Sequence, residues 1–184
     1  MRSTLLCFPI LLASSAALGQ SGMPPRQATD ITAAEIKAVQ KTEPPAVDQQ
    51  LKVVDMGKYN LGVGVIHRGT TKGVGPVQGV AHDKTAETYV ILSGSGTLVT
   101  GGTIIDPKPT SPDSEGYKVL NGPSVNGTVK DGYHRKVGPG DVIIIPPGVF
   151  HGWTEITDHV DYLSVRPDPD RVLPAGYVNP VIKK

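Results

Sequence analysis

The chain has one cysteine in 184 residues, Cys7, and it lies in the apolar leader that opens the sequence. Without that leader the protein has no disulfide, no thiol nucleophile and no thiolate for an iron–sulfur cluster. Aromatic residues are scarce at 5%, with two Phe and one Trp. No charge sign dominates, because 18 Lys and Arg stand against 17 Asp and Glu. A basic face for nucleic acid is therefore not expected. No apolar run is long enough to span a bilayer as a helix. Three catalytic signatures are missing as well. No serine sits in a G-x-S-x-G elbow, no loop has the P-loop pattern, and no paired inward carboxylates suggest glycoside hydrolysis.

What the chain has in quantity is turn formers, 22 Gly and 17 Pro. Many short elements follow from that, so an all-β fold is favoured over a helical bundle, and the length suits one domain. Residues 1–19 read as a secretory signal: Arg2 is the positive end, residues 5–12 the apolar stretch, and Ala17-Leu18-Gly19 the small-x-small cleavage site. Export to a periplasm or to the exterior follows, with no membrane attachment after cleavage. Cleavage removes only Arg2 among the charged groups, leaving 17 basic and 17 acidic residues and a formal net charge of zero.

Residues 20–50 are expected to hold a polar leader and a helix over residues 30–41. Asp30 is a possible cap, Thr32 and Glu35 have capping-box spacing, and Pro44-Pro45 stop the run. Ile36 and Val39 would dock this helix on the main body. Residues 51–166 form the β domain. Its strands are expected at 51–53, 59–67, 77–82, 87–92, 96–100, 133–137, 141–145, 150–156 and 160–165. In the second strand Leu61, Val63, Val65 and His67 share one face, and Gly62 and Gly64 lie on the other, where glycine signals close approach of a neighbour. Residues 101–132 read as an irregular insertion with one short hairpin. The Pro-rich tail, 167–184, would drape over the outside.

Two segments carry chemistry. Gly140 through Pro146, Gly148 and His151 reads as a strand, a Pro-Gly turn and a histidine opening the next strand. The other contains His82, Glu87 and the turn glycine Gly94. Parity places Glu87, Tyr89 and Ile91 on one face, and Val149, His151 and Trp153 on one face. A carboxylate turned into a β interior is costly unless it is paired or holds a cation, and two imidazoles beside it meet that need. Imidazole with carboxylate suits a divalent transition metal: Fe, Mn, Ni, Zn or Cu.

These segments resemble the paired motifs of the cupin superfamily, G-x5-H-x-H-x3,4-E-x6-G and G-x5-P-x-G-x2-H-x3-N. Gly140, Pro146, Gly148 and His151 match the second, whose final Asn is Glu155 here. His82, Glu87 and Gly94 match the first, and Val80 stands where its first histidine would be. The chain is similar to small, secreted, single-domain bacterial cupins. The resemblance implies a jelly-roll β-barrel preceded by a short N-terminal helix, a metal held by His82, Glu87 and His151, and a homodimer. With Val80 in place of a ligand, three outcomes are open. The site is complete with three ligands, or His67 or Gln78 substitutes for the missing one, or the pocket takes a small molecule without metal.

Around the centre, Val80, Ile91, Val149 and Trp153 are expected to wall a substrate pocket. Tyr89 is a candidate acid/base or positioning group. Phe150 is expected to pack between sheets, and His134 and His159 to lie at the surface. The functional expectation is an exported metal-dependent enzyme acting on a small organic molecule, of dioxygenase, isomerase or lyase type. The alternative is a small-molecule-binding protein without catalysis.

Overall fold

The computed structural model describes residues 27–42 and 47–183. The signal segment 1–19, the leader up to residue 26 and the Pro44-Pro45 helix stop lie outside the described residues. The helix α1 spans Ala33–Gln40. Thr32, not Asp30, is its cap: the Thr32 hydroxyl accepts from Glu35 N, and the Glu35 carboxylate accepts from Thr32 N at 2.8 Å. Two orphan amides are satisfied reciprocally by this box, an effect of about 1 kcal/mol. Among the described residues, no helix is long and apolar enough to cross a membrane.

Twelve strands follow: β1 Val47–Asp55, β2 Asn60–Arg68, β3 Thr71–Lys72, β4 Val77–His82, β5 Glu87–Gly94, β6 Gly96–Thr100, β7 Thr103–Pro109, β8 Ser124–Lys130, β9 Tyr133–Val137, β10 Val142–Ile145, β11 His151–Ile156 and β12 Val160–Asp168. They form two antiparallel sheets. The first runs β1-β2-β12-β5-β10 and the second β7-β8-β4-β11-β6-β9, with β3 paired to the far end of β11. This is the expected all-β jelly-roll architecture. Among the described residues the hydrogen bonding does not run continuously around it, so it is a sandwich of two sheets rather than a closed barrel.

Between the sheets lies the main core, which includes Ile66, Tyr89, Ile91, Leu98, Ile143, Ile145, Ile156 and Tyr162. The outer face of the first sheet has its own cover. Leu51, Val63, Val65 and Leu163 pack there against Ile31, Ile36 and Val39 of the helical segment and Ile182 of the tail. The apolar face of β2 is thus the outer one, and Asn60, Gly62 and Gly64 face inward. Phe150 packs with Val77 and Val99 rather than with the main core. Its neighbour in sequence, His151, faces inward, so Phe150 lies on the other side of the second sheet and not between the sheets.

Residues 101–132 are more regular than expected. β7 pairs with β8, and β8 pairs with β4 over its whole length, from Val77↔Val129 to His82↔Ser124. A single π-helical turn, Gly116–Leu120, fills part of the connection. The tail also does more than drape. It bonds along β1 through Val53 N to Tyr177 O, Gly176 N to Val53 O and Asn179 N to Leu51 O. An exposed strand edge, a template for unwanted pairing, is covered in this way.

Candidate metal centre

His82 ends β4, His151 opens β11, and Glu87 opens β5. The two imidazoles therefore come from one sheet and the carboxylate from the other. All three are buried, with no more than 4% of any of them exposed, and one donor atom from each lies within 4.8 Å of the others. The Pro-Gly turn fixes their relation. Gly148 adopts a left-handed φ of 77°, which favours glycine, and its N–H donates to the His82 carbonyl at 2.7 Å. The turn that aims His151 is thereby tied to the strand end that carries His82. β4 and β11 also approach closely: His151 stands opposite Val80 and Gly152 opposite Gly79. A Cβ on Gly79 would overlap the His151 carbonyl.

Hydrogen bonds decide which ring nitrogens face the centre. Ser124 Oγ donates to the Gly122 carbonyl at 2.9 Å, so its one proton is committed. It must then accept from His82 Nδ1, 2.8 Å away. His151 Nδ1 lies 3.1 Å from the Val149 carbonyl, which can only accept. A ring that carries a single proton therefore holds it on Nδ1 and turns the Nε2 lone pair to the centre. Those lone pairs face Glu87 Oε2, at 3.2 Å from His82 and 3.0 Å from His151. Three electron-pair donors cannot face one another at these distances without something positive among them. Either protons or a cation meets that requirement, and the set suits a divalent transition metal.

Glu87 is held for this role by its other oxygen. Oε1 accepts from Ser164 Oγ at 2.6 Å and from Arg166 Nε at 3.1 Å. Arg166 is fully buried and also donates to Gln50 Oε1 at 2.7 Å and to the Asp48 carboxylate. Gly62 and Gly64 explain how it fits. A Cβ on Gly62 would strike Gln50 and one on Gly64 would meet the Arg166 guanidinium. Burial alone would raise the Glu87 pKa. With protons on the facing Nε2 atoms, hydrogen bonds from His151 and His82 and the charges of His82 and Arg166 outweigh it, and the carboxyl then lies well below its usual range.

Tyr89 donates to Glu87 Oε2 at 3.1 Å. Burial, then the Glu87 charge, push its pKa well above the ordinary phenol value, so it remains a donor that orients the carboxylate. Beside the three residues opens a cavity of about 360 Å³. Val80, Trp153, Gln78 and Tyr89 line it, as do Arg68, Tyr162, Leu120 and Ile156. Two expected wall residues do not. Ile91 is buried in the main core and Val149 packs against that core. The side chain of His67 points away from the centre, because the apolar face of β2 is the outer one. It pairs with Asp161 at 2.6 Å and does not join the cluster. Gln78 reaches the cavity wall, but among the described residues the donor group comprises His82, Glu87 and His151. His159 is partly exposed, beside Asp158, and His134 is exposed.

No family model matches the chain, and no curated protein is similar enough to count as a relative. Solved structures are similar to it at 13–17% identity. One is a protein of Bacillus halodurans, 13% identical, with 86% of this chain and 93% of that one covered and a TM-score of 0.47. A cupin protein of Bacteroides fragilis is 17% identical, with 59% and 65% covered and a TM-score of 0.36. A variant of oxalate decarboxylase from Bacillus subtilis is 17% identical, with 70% and 26% covered and a TM-score of 0.42.

Proposed function

We propose that this chain is a cupin-type metalloprotein in which His82, Glu87 and His151 hold a divalent transition metal, and that it acts as an enzyme on a small organic molecule. One observation carries the reading. Two imidazole lone pairs and a carboxylate oxygen, their tautomers and orientation fixed from behind, converge in a buried site beside a cavity. A divalent metal held by His82, Glu87 and His151 would supply Lewis-acid or redox chemistry beside the cavity. The chain's own residues do the rest. Ser164 and Arg166 engage Oε1 of Glu87 and leave Oε2 for the centre. Tyr89 steadies Oε2, and Trp153 and Ile156 give the cavity an apolar wall. Val80 presents no donor to the centre, so that side is left to the substrate. Dioxygenase, isomerase and lyase reactions all fit such a site.

A second reading has a specific support. The Nε2 to Oε2 distances are also those of ordinary hydrogen bonds, so protonated imidazoles would satisfy Glu87 and leave a metal-free binding pocket. Elemental analysis of the purified protein beside a His151→Ala variant separates the two. Near-stoichiometric metal in the first and its loss in the second is the expected result. No uptake of Fe, Mn, Ni, Zn or Cu by folded protein overturns the metal reading. Export belongs to the same proposal, and a mature N-terminus at Gln20 in the exported fraction is its test. So does the homodimer, for which sedimentation giving a monomer mass is the contrary outcome.

A further inference from the structure

The cavity has a second charged wall, which the metal centre does not use. Arg68, the last residue of β2, donates its Nε–H to the Tyr162 hydroxyl at 2.9 Å. Arg68 lines the same cavity as His82, Glu87 and His151, and so does Tyr162, the partner of its guanidinium. Among the described residues neither Nη nitrogen has a hydrogen-bond partner and no carboxylate lies within ion-pair distance. Two other arginines are unlike it: Arg166 is paired with Asp48 and Glu87, and Arg171, outside this cavity, with Asp55. A partly buried guanidinium with an unused fork, facing a cavity, is built to take a planar oxyanion.

The charge balance agrees. Asp48 and Glu87 share Arg166, which leaves one negative charge among those three groups. Arg68 cancels it. Once a divalent ion occupies the centre, the pocket carries two uncompensated positive charges beside its apolar wall of Trp153, Ile156 and Leu120. An anion with an apolar body complements that, and about 360 Å³ is at the small end of ligand pockets.

We propose that this pocket takes a small organic acid. Arg68 binds its carboxylate through the two Nη nitrogens, an oxygen of the same molecule faces the His82–Glu87–His151 centre, and its apolar part lies on Trp153 and Ile156. Only the second of these contacts rests on the metal reading. Trp153 is the sole tryptophan of the chain, and its ring lies 5.6 Å from that of Tyr162, the partner of Arg68. Its fluorescence therefore reports occupancy of the cavity.

The test titrates mandelate and 2-hydroxyisobutyrate, each beside its uncharged amide, into metal-loaded and metal-stripped protein while Trp153 emission is read. Both acids are expected to bind about ten-fold or more tighter than their amides. Arg68→Gln should abolish that preference with little change in amide binding, and Arg68→Lys should keep part of it. Tyr162→Phe removes the same internal hydrogen bond but retains the guanidinium, so the acid preference should survive. Equal binding of acid and amide by the wild type overturns the proposal. So does a preference that persists in Arg68→Gln, or no response to either acid at millimolar concentration. An Arg68-dependent preference in protein that takes up no metal would sustain the acid subsite while the metalloenzyme reading fails.

Discussion

The Ser124 hydroxyl has one proton, and the Gly122 carbonyl takes it. His82 can satisfy Ser124 only as a donor from Nδ1, and this keeps Nε2 free for the centre. Removing the hydroxyl frees the ring to adopt the other tautomer and to rotate. Ser124→Ala is expected to weaken metal binding by about 10–100-fold, the usual effect of losing a partner that orients a ligand. Competition against a chromophoric chelator measures it, and an unchanged affinity would show that the tautomer is fixed elsewhere. The three donor residues were legible from spacing, parity and the motif resemblance together, because a charged or polar group on an inward face has few explanations. Ser124 was not, since it lies in a stretch whose Pro and Gly content reads as irregular. Arg166 was also missed. The signals for it were present in the inward parity it shares with Ser164 and Tyr162, and in the room left by Gly62 and Gly64 on the neighbouring strand.

At the scale of elements, the site depends on how closely β4 and β11 run. Gly79 and Gly152 face each other across that pair. A Cβ at Gly79 would meet the His151 carbonyl and carbonyl carbon as well as the Phe150 ring. Backbone atoms cannot yield as a side-chain tip can. Gly79→Ala should therefore force the strands apart, at a cost of about 1–3 kcal/mol, and should weaken metal binding because His82 and His151 sit on those two strands. Urea unfolding and the chelator competition read the two effects. Wild-type stability in this variant would show that the strands can separate freely. The sequence marked both strands but not the order of the sheet. Strands with local signals, such as β4 and β6, matched their expected limits. β7 and β8 fell in the stretch read as irregular, and β8 is held by ladders on both sides, to β7 and to the distant β4. For β2 the alternation was readable but the inward side was not. Leu61, Val63 and Val65 look like core residues, and only the helix and tail packed outside reveal that their face is the outer one. That inversion takes His67 away from the centre.

The centre also bears on the molecule as a whole, because its donors come from both sheets. Glu87 belongs to the five-stranded sheet, and His82 and His151 to the seven-stranded one. A metal among them cross-links the sandwich through its interior, and the unfolded chain offers no comparable arrangement. Such a ligand stabilises the folded state by mass action, by about 2.7 kcal/mol when its free concentration is 100 times Kd. For a chain of this size each kcal/mol moves Tm by about 2–4 °C, so the expected rise is about 5–11 °C. Stripping the metal with a chelator should reverse it. His151→Ala separates this centre from any adventitious site. It retains Glu87 and His82 but loses one of the three donors, so its Tm should hardly respond to the same metal. A rise of equal size in that variant would place the stabilising ion elsewhere. A rise confined to the wild type would place the stabilising ion among His82, Glu87 and His151, between the two sheets.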